Sequence, residues 1–223
     1  AIGRLAIENN LRLDTHPDQF NVLNSLDEQV ISNTIRNLRH HLELFTDMQY
    51  PDGRMVIHLG SGQGGKDKAL ERFVRQAAQL PDELRERLML ENDDKIFTAA
   101  DVLKACYHLY IPMVFDLHHH HCNNSGEELD RMIEAAFATW SNTHLPPKIH
   151  ISSPRDGPYD RKHADYIEVG DFIAFVERCI PLGIDFDVMV EAKMKDLALF
   201  RLIEDIKEKR PEWQWIDKTT LKL

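Results

Sequence analysis

The sequence predicts an α/β fold built on a parallel sheet that closes as a TIM (β/α)8 barrel. Short apolar, β-branched runs alternate along the chain with amphipathic helical segments, which is typical of a parallel sheet. Six successive runs carry a histidine or a carboxylate in or just after their carboxyl ends. An open doubly wound sheet would gather such residues only at its switch point, whereas a barrel brings every strand end to one mouth. These residues are His16, His58, Glu91, Asp116, His150 and Glu191.

Six strands are two fewer than a complete barrel contains. The chain also opens with Ala1 inside a helical pattern that continues to Asn9. We therefore expect residues 1–223 to form a single barrel domain that lacks its first two strands and begins inside a larger fold.

The elements are predicted from hydrophobic period and capping signals, taken in chain order. The predicted strands are Leu11–Thr15, Arg54–Leu59, Leu88–Leu90, Ile111–Leu117, Lys148–Ser152 and Phe186–Val190. The predicted helices are Ile2–Asn9, one opened by a capping box at Ser25–Glu28, Lys66–Leu80, Thr98–Tyr110, one from a second box at Ser125–Glu128 through Trp140, and Asp196–Lys209.

The totals place the chain among globular proteins, with 223 residues, 43% of them hydrophobic and 29% charged. No apolar run reaches the length of a membrane span and no signal peptide opens the chain, so we expect no membrane partner. Cys106, Cys122 and Cys179 lie far apart without a CxxC pair, which argues against a disulfide framework and a thiolate zinc site. We expect a cytoplasmic protein, associated with the nucleoid if the source is bacterial.

The formal net charge of −10 argues against a nucleic-acid partner. The argument is weak if several acids bind metal, because two or three divalent ions would cancel about four to six negative charges where DNA would bind.

The fourth predicted strand leads directly into Asp116 and four consecutive histidines, His118–His121. A carboxylate and imidazoles are delivered there to the carboxyl end of a buried strand, which is a donor set for divalent metals. A tag remnant would stand at a terminus, and this run lies in the middle of the chain.

A glycine-rich loop, Gly60–Lys66, follows the second predicted strand and matches both GxGxxG and GxxxxGK. Asp67 stands where a hydroxyl residue would bind magnesium, and no acidic strand end follows at the spacing of a dinucleotide site. We therefore expect no nucleotide cofactor.

Eight side chains are the candidates for the barrel mouth. Crowded acids would repel one another and raise their own pKa values, and bound cations are the simplest remedy. Carboxylates and imidazoles without thiolates favour Mn²⁺, Zn²⁺, Mg²⁺ or Fe²⁺, and so many donors imply two or three ions. Such a cluster suits phosphodiester cleavage, although sugar isomerisation is left open. The eight are His16, His58, Glu91, Asp116, His119, His150, His163 and Glu191.

Several segments together resemble the UV damage endonuclease family, which is related to endonuclease IV. The resemblance covers nearly the whole chain from His16 to the final helix. It rests on Asp14-Thr15-His16-Pro17-Asp18-Gln19-Phe20, His58-Leu59-Gly60-Ser61, Leu90-Glu91-Asn92-Asp93, Asp116-Leu117-His118-His119, Lys148-Ile149-His150-Ile151-Ser152, Arg161-Lys162-His163-Ala164-Asp165-Tyr166 and Val190-Glu191-Ala192-Lys193.

The resemblance implies a TIM barrel with up to three metals, manganese favoured, held by the eight residues above. It implies hydrolysis of damaged double-stranded DNA immediately 5′ to a UV photoproduct, and possibly to other lesions, leaving a 3′-hydroxyl and a 5′-phosphate. Glu91 and Glu191 would be catalytic, with Lys148 matching a family lysine that can be carboxylated beside the metals. Gln19 and Phe20 match the pair that probes the lesion, with Phe20 where the family commonly has tyrosine.

Phosphate contacts are expected from cations around the mouth, with Arg155, Arg161, Lys162 and Lys193 as candidates. Two other functions are kept as alternatives. One is a metal-dependent sugar isomerase or epimerase on the same barrel, which would have no use for Gln19 and Phe20. The other is a truncated piece that binds metal, or damaged DNA, without cutting.

Overall fold

The structure, a computed structural model, describes residues 2–223 and arranges six strands as one parallel sheet in chain order. A two-stranded antiparallel hairpin lies near the end of the chain. The sheet strands are β1 (Asp14–Thr15), β2 (Arg54–His58), β3 (Leu88–Glu91), β4 (Met113–Asp116), β5 (Lys148–Ile151) and β6 (Asp187–Val190), and the hairpin strands are β7 (Gln214–Trp215) and β8 (Leu221–Lys222).

Helices separate the strands, as the alternating pattern predicts. They are α1 (Ile2–Glu8), α2 (Glu28–Met48), α3 (Lys66–Ala78), α4 (Asp82–Arg85), α5 (Ala99–Leu109), α6 (Leu117–Cys122), α7 (Leu129–Ala138), α8 (Val169–Cys179) and α9 (Asp196–Lys209), with a 3₁₀ turn at Ile180–Leu182. The predicted bounds of α9 agree with the structure at both ends. Helices α4 and α8 and the hairpin were not predicted from the sequence.

The sheet is curled, because its two edge strands contact each other through side chains. In a flat sheet of six strands the edges would lie about 24 Å apart, beyond the reach of any side chain. Arg12, just before β1, donates from Nη1 to Asp187 Oδ2 in β6 at 2.9 Å and to the Pro146 carbonyl oxygen at 2.8 Å. Six parallel strands therefore form an incomplete barrel wall, as the sequence predicts.

The alternation of side chains along each strand divides the interior into two layers. Outward-facing residues such as Ile57, Leu90 and Phe115 pack with the helices in the main core. The inward-facing strand residues Val56, Met89 and Val114 form a smaller cluster with Trp140, which lies between α7 and β5. The next inward positions toward the carboxyl ends are polar, so the strand period places the candidate site directly above an apolar floor.

The structure differs from the prediction at the histidine run, because its four imidazoles do not point together to the end of β4. Residues 117–122 form the short helix α6, which begins at once after β4 with Asp116 as its N-cap. A helix turns its side chains by about 100° per residue, so four consecutive imidazoles cannot share one direction. His120 instead lies 5.3 Å from Phe115 between ring centroids, and His118 lies 5.7 Å from His163.

Both predicted capping boxes are also wrong. Helix α2 begins two residues later than predicted, because Asp27 Oδ1 accepts the Gln29 amide at 2.8 Å. Ser25 Oγ instead accepts the Asp27 amide within the preceding turn. The N-cap of α7 is Glu128 itself, and the Ser125 amide donates to Glu127 rather than to Glu128, the acid of the predicted box. A capping box is present at Thr98 and Asp101, at the start of α5.

Among the described residues, no helix is both long enough and apolar enough to cross a bilayer.

Replacing Asp27 with alanine should lower the free energy of unfolding by about 1 kcal/mol, because one amide in the first turn of α2 loses its acceptor. Asp27→Asn keeps an acceptor oxygen and should retain most of the stability. Urea unfolding of the three proteins measures the difference. An alanine variant as stable as the wild type would show that the cap contributes nothing.

Candidate metal centre

The predicted strand-end residues meet at the mouth of the curled sheet. His58, Glu91 and Asp116 are the last residues of β2, β3 and β4. His150 faces inward from β5, while His16 and Glu191 each follow the last residue of their strand directly. The parallel sheet thus carries residues that are far apart in sequence to one edge.

Glu91 lies at the centre of this group, and its carboxylate is fully buried. Its Oε2 lies 2.8 Å from His16 Nε2 and 3.4 Å from His58 Nε2. Its Oε1 lies 2.8 Å from His150 Nδ1 and 3.8 Å from His119 Nδ1. Four imidazoles therefore surround one carboxylate, and each of its oxygens faces two of them.

Glu191 extends the group on the side of β6. Its Oε1 lies 3.1 Å from His150 Nδ1, and its Oε2 lies 3.9 Å from His163 Nδ1. His163 returns to the mouth from the loop after β5, where Pro154 and His163 form an antiparallel bridge. That loop is held by hydrogen bonds from Ala164 N to Ser153 O and from Lys193 N to Ala164 O.

Asp116 is fully buried and only half satisfied. Its Oδ1 accepts the His119 amide at 2.7 Å, whereas its Oδ2 is buried without a hydrogen-bond partner. Burial raises the pKa of Asp116 to about 7, and the negative charges of Glu91 and Glu191 act in the same direction against that of His119. A buried carboxylate oxygen without a partner is a site where a cation would be stabilised.

Two sets of donors have the spacing of a metal site, with one ligand atom from each residue within 4.8 Å of the others. One set consists of His16, Glu91, His150 and Glu191, and the other of Glu91, Asp116 and His119. Both include Glu91, so two cations held here would share its carboxylate. His58 and His163 lie outside both sets, although each faces one of their carboxylates.

The pKa values describe how the charges balance without a cation. Burial lowers the pKa of His150, but the charges of and hydrogen bonds to Glu91 and Glu191 outweigh burial and raise it to about 10. Burial likewise lowers the pKa of His119, and the charges of Asp116 and Glu91 raise it to about 9. Burial raises the pKa of Glu91, yet His150 and His58 hold it well below its ordinary value. Protonated imidazoles therefore occupy the positive role that a metal would take.

Asn92 holds two of the ligands in place, and its role was missed in the sequence because an amide carries no charge. Its side chain donates to the Asp116 carbonyl oxygen and accepts from the Asp116 amide, both at 2.9 Å. Its own carbonyl oxygen lies 2.9 Å from His119 Nδ1. A proton on Nδ1 donates to that carbonyl oxygen and so fixes the orientation of the His119 ring.

Lys148 lies two residues before His150 on the same inward face, and neither donor set includes it. Its ammonium is buried and paired with Asp14, whose Oδ2 also lies 3.2 Å from Arg12 Nε. Burial lowers the pKa of Lys148, and the charge of Arg12 acts in the same direction against Asp14. Arg12 and Asp14 were not predicted from the sequence, although their inward-facing positions before His16 are visible in the strand period.

Gln19 and Phe20 lie in the loop between β1 and α2, and the Phe20 ring is 76% exposed. The predicted phosphate-binding residues all lie at the surface. Arg155 pairs with Asp156 at 2.8 Å, and Arg161 lies 3.6 Å from Asp94. Burial lowers the pKa of His163 and the charge of Lys193 acts in the same direction, which places Lys193 beside the mouth. Lys162 follows Arg161 in the loop that carries His163.

Asn92→Ala should weaken cation binding at the Glu91–Asp116–His119 set by about 10- to 100-fold, because the backbone of Asp116 loses the side-chain amide that holds it. The set around His16 should keep its affinity. Isothermal titration calorimetry with Mn²⁺ would resolve the separate binding steps at the two donor sets. Asn123→Ala is the matched control, since Asn123 donates at 2.9 Å to the carbonyl oxygen of Asp93, which is not a ligand. Equal affinities for wild type and Asn92→Ala would contradict the role of Asn92.

Comparison with known proteins gives related sequences and structures. The family model described as UV-endonuclease UvdE matches residues 1–218. The UV DNA damage endonuclease of Bacillus cereus (strain B4264) is 40% identical over 206 residues, which are 92% of this chain and 65% of that protein. The UV DNA damage endonuclease of Halalkalibacterium halodurans is 41% identical over 210 residues, which are 93% of this chain and 65% of that protein. The chain thus spans 65% of the length of these curated relatives.

The structures agree. The crystal structure of SacUVDE superposes with a TM-score of 0.83 at 33% identity, over 93% of this chain and 69% of that chain. Endonuclease IV from Thermus thermophilus gives a TM-score of 0.65 at 16% identity, over 93% of this chain and 80% of that one. The second likeness concerns the fold alone, and it confirms the prediction of a TIM-barrel wall. With a family model that matches nearly the whole chain, this protein belongs to the UvdE family of UV endonucleases.

Proposed function

We propose that this chain carries the catalytic centre of a divalent-cation-dependent DNA repair endonuclease. It would hydrolyse the phosphodiester immediately 5′ to a UV photoproduct in double-stranded DNA, and in some cases to other lesions, leaving a 3′-hydroxyl and a 5′-phosphate. The observation that carries the proposal is the pair of donor sets that share Glu91. Family membership supports the substrate.

The donor set fits two or three hard or borderline cations, with Mn²⁺ favoured. Its atoms are carboxylate oxygens and imidazole nitrogens without a thiolate, which suits Mn²⁺, Mg²⁺, Fe²⁺ or Zn²⁺. Bound ions of this kind acidify water and stabilise the attacking and leaving oxygens of a phosphodiester. His16, Glu91, His150 and Glu191 would hold one ion and Asp116, His119 and Glu91 a second. His58 and His163 are the remaining donors for a third position.

The protein residues orient the metal-binding groups and balance their charges. Glu91 links the two donor sets, so it fixes their spacing from a fully buried position on a strand. Glu191 is partly exposed and accepts from His150, which leaves its second oxygen facing the rim toward His163. We propose Glu91 and Glu191 as catalytic residues, because Glu91 belongs to both donor sets and Glu191 belongs to one of them.

We propose that Lys148 takes part through its uncharged amine. Burial depresses its pKa, which favours the neutral form that adds carbon dioxide and releases a proton to give a carbamate. An ammonium would repel cations above it, whereas a carbamate would attract them. The ion pair with Asp14 opposes this change, because it favours the ammonium.

We propose that Gln19 and Phe20 probe the lesion. A ring that is 76% exposed gains little from its own protein and is available to occupy a base stack. The amide of Gln19 can bond to bases whose partners have been lost. Extruding a damaged dinucleotide costs least where pairing is already weak, so recognition would follow deformability. Arg155, Arg161, Lys162 and Lys193 would contact the phosphates around the mouth. Such a substrate implies a cytoplasmic protein, associated with the nucleoid in a bacterium.

The protein should nick UV-irradiated supercoiled plasmid in the presence of Mn²⁺ and leave untreated plasmid supercoiled. On an oligonucleotide duplex with one photoproduct, the cut should map to the bond immediately 5′ to it. The new 3′ end should be extended by a polymerase and the 5′ end should be ligatable. Equal nicking of irradiated and untreated plasmid would refute lesion-dependent cleavage, and turnover of a ketose instead would favour the epimerase alternative.

Phe20→Ala should reduce nicking of irradiated plasmid by about 5- to 150-fold, because stacking of a base on an aromatic ring contributes about 1–3 kcal/mol. The Mn²⁺ content of the variant should equal that of the wild type. Phe200→Ala is the matched control, since Phe200 is an exposed phenylalanine on α9, 57% exposed. Unchanged nicking by Phe20→Ala, at equal metal content, would remove Phe20 from the lesion-probing role.

Cation binding should release protons and should tighten as the pH rises from 6 to 8. His119 and His150 carry protons at neutral pH because their pKa values are raised to about 9 and about 10, and Asp116 is partly protonated because its pKa is raised to about 7. Each must lose its proton to bind metal, so all three effects have the same sign. Calorimetry in buffers of different ionisation enthalpy should report about two protons or more per chain. An affinity independent of pH would show that these groups are not the ligands.

A further inference from the structure

The glycine-rich segment after β2 belongs to the mouth, although the function proposed above assigns it no task. Residues 60–65, here called the glycine loop, connect β2 to α3. Residues 17–26, here called the probing loop, connect β1 to α2 and carry Gln19 and Phe20. The two loops are neighbours because β1 and β2 are paired, with Thr15 opposite Met55.

Asn24 joins the two loops through a fully buried side chain. Its Nδ2 donates to the Ser61 carbonyl oxygen at 2.7 Å, and its Oδ1 accepts the Ser61 amide at 2.8 Å. The side-chain amide thus bonds both backbone groups of one residue across the gap between the loops. Such a pair of bonds is what a neighbouring strand would supply if the sheet continued.

Two further features hold the junction together. Arg72 of α3 donates from Nε to the Asn24 carbonyl oxygen at 3.0 Å and from Nη2 to the Gln63 carbonyl oxygen at 2.5 Å. Gly60 has a positive φ of 91°, and a Cβ there would lie 2.8 Å from Asn24 Oδ1 and 2.9 Å from Val22 Cγ1. A residue with a side chain would therefore push the loops apart, so the close approach requires the glycine.

The probing loop is fixed at its base, and the Phe20 side chain at its tip is exposed. The Val22 amide donates to Thr34 Oγ1 of α2 at 3.0 Å, and Leu23 is buried. The Phe20 amide donates to Asp18 Oδ1 at 2.8 Å, which shapes the backbone at the tip. The Phe20 ring remains in solvent. Because the backbone that carries Phe20 is already fixed, DNA binding would cost little further conformational entropy in this loop.

We propose that Asn24 is a positioning residue that ties the probing loop to the glycine loop and so presents Gln19 and Phe20 to DNA in a preformed arrangement. The inference rests on the lesion-probing role proposed above. The glycine loop serves as a rigid backbone support for the probing loop, which gives the GxGxxG pattern a function without a nucleotide. The preformed arrangement should raise the preference for damaged over undamaged DNA, because a mobile Phe20 ring would contact both kinds of DNA equally weakly.

Hydrogen exchange tests the junction directly. Asn24→Ala should raise the exchange rates of the amides in residues 17–26 and of Ser61 at least about tenfold. Without the Asn24 side chain, the two loops can open locally at a lower free-energy cost. Amides of α5 should exchange as in the wild type, which shows that the barrel wall stays folded. Asn33→Ala, an exposed asparagine on α2, is the control and should change neither loop.

Gly60→Ala disturbs the same junction from the other side and gives an independent variant. If Asn24 and Gly60 act on one contact, the double variant should be no more mobile in the probing loop than the more mobile of the two single variants. Additive effects would show that the two positions act separately and would contradict a shared junction. Asn24→Asp, which replaces the donor with an oxygen facing the Ser61 carbonyl, should resemble Asn24→Ala and serves if the alanine variant fails to fold.

DNA binding tests the functional consequence. The ratio of the dissociation constants for an undamaged duplex and for a duplex with one photoproduct should fall about tenfold in Asn24→Ala, with unchanged Mn²⁺ content. Faster exchange with an unchanged ratio would overturn the positioning role, and unchanged exchange would overturn the junction itself. If Phe20→Ala keeps the wild-type ratio, or the wild type shows none, the lesion-probing function fails instead, and the exchange data still decide whether Asn24 holds the loop.

Discussion

The structure depends on a fully buried carboxylate that is surrounded by imidazoles. Glu91 stands at the end of an inner strand, and an ionised carboxylate at that depth is stable only next to positive charge. His150 and His119 supply that charge as imidazolium ions in the protein alone, and a metal would supply it in their place. The same arrangement explains why Asp116, with one oxygen unpartnered, holds its proton more tightly than an ordinary aspartate, its pKa being raised. Removing all cations from this mouth would leave three acids that repel one another.

The fold produces this arrangement by a simple periodic rule. Every second residue of a strand faces the interior of the curl, so the last residue of β2, β3 and β4 shares the inward face with an apolar residue two positions earlier. Val56 precedes His58, Met89 precedes Glu91, and Val114 precedes Asp116 in this way. The apolar layer excludes water from below the centre and strengthens its electrostatics. Arg12, which binds Asp187 across the curl, draws the edge strands together under the same centre.

The strand-end rule could be read from the sequence, since it requires only that parallel strands point one way. It predicts His58, Glu91, Asp116, His150 and Glu191 at one mouth, and the structure places them there. The histidine run shows where such reading stops. Asp116 begins a helix as soon as its strand ends, and the rotation of that helix sends His119 toward Glu91 and its neighbours elsewhere. Helix α8 was not predicted, and its start carries a weak signal: Asp171 is acidic in the first turn, but the N-cap residue Glu168 makes no capping hydrogen bond through its side chain.

The two asparagines show what pattern reading is least able to find. Asn24 lies in the loop between β1 and α2, and Asn92 directly follows β3. Both are fully buried, and each bonds through one side-chain amide to the N–H and C=O of a single residue in a neighbouring segment. Asn92 thereby extends the contact between β3 and β4, whereas Asn24 joins two loops. No hydrophobic periodicity indicates such a residue, because its partner is a backbone segment that only the tertiary fold brings close to the asparagine. The candidate metal-binding residues could be recognised in the sequence because they are acids and histidines, whereas the two asparagines are neutral, and their contacts became evident only from hydrogen bonds between distant parts of the chain.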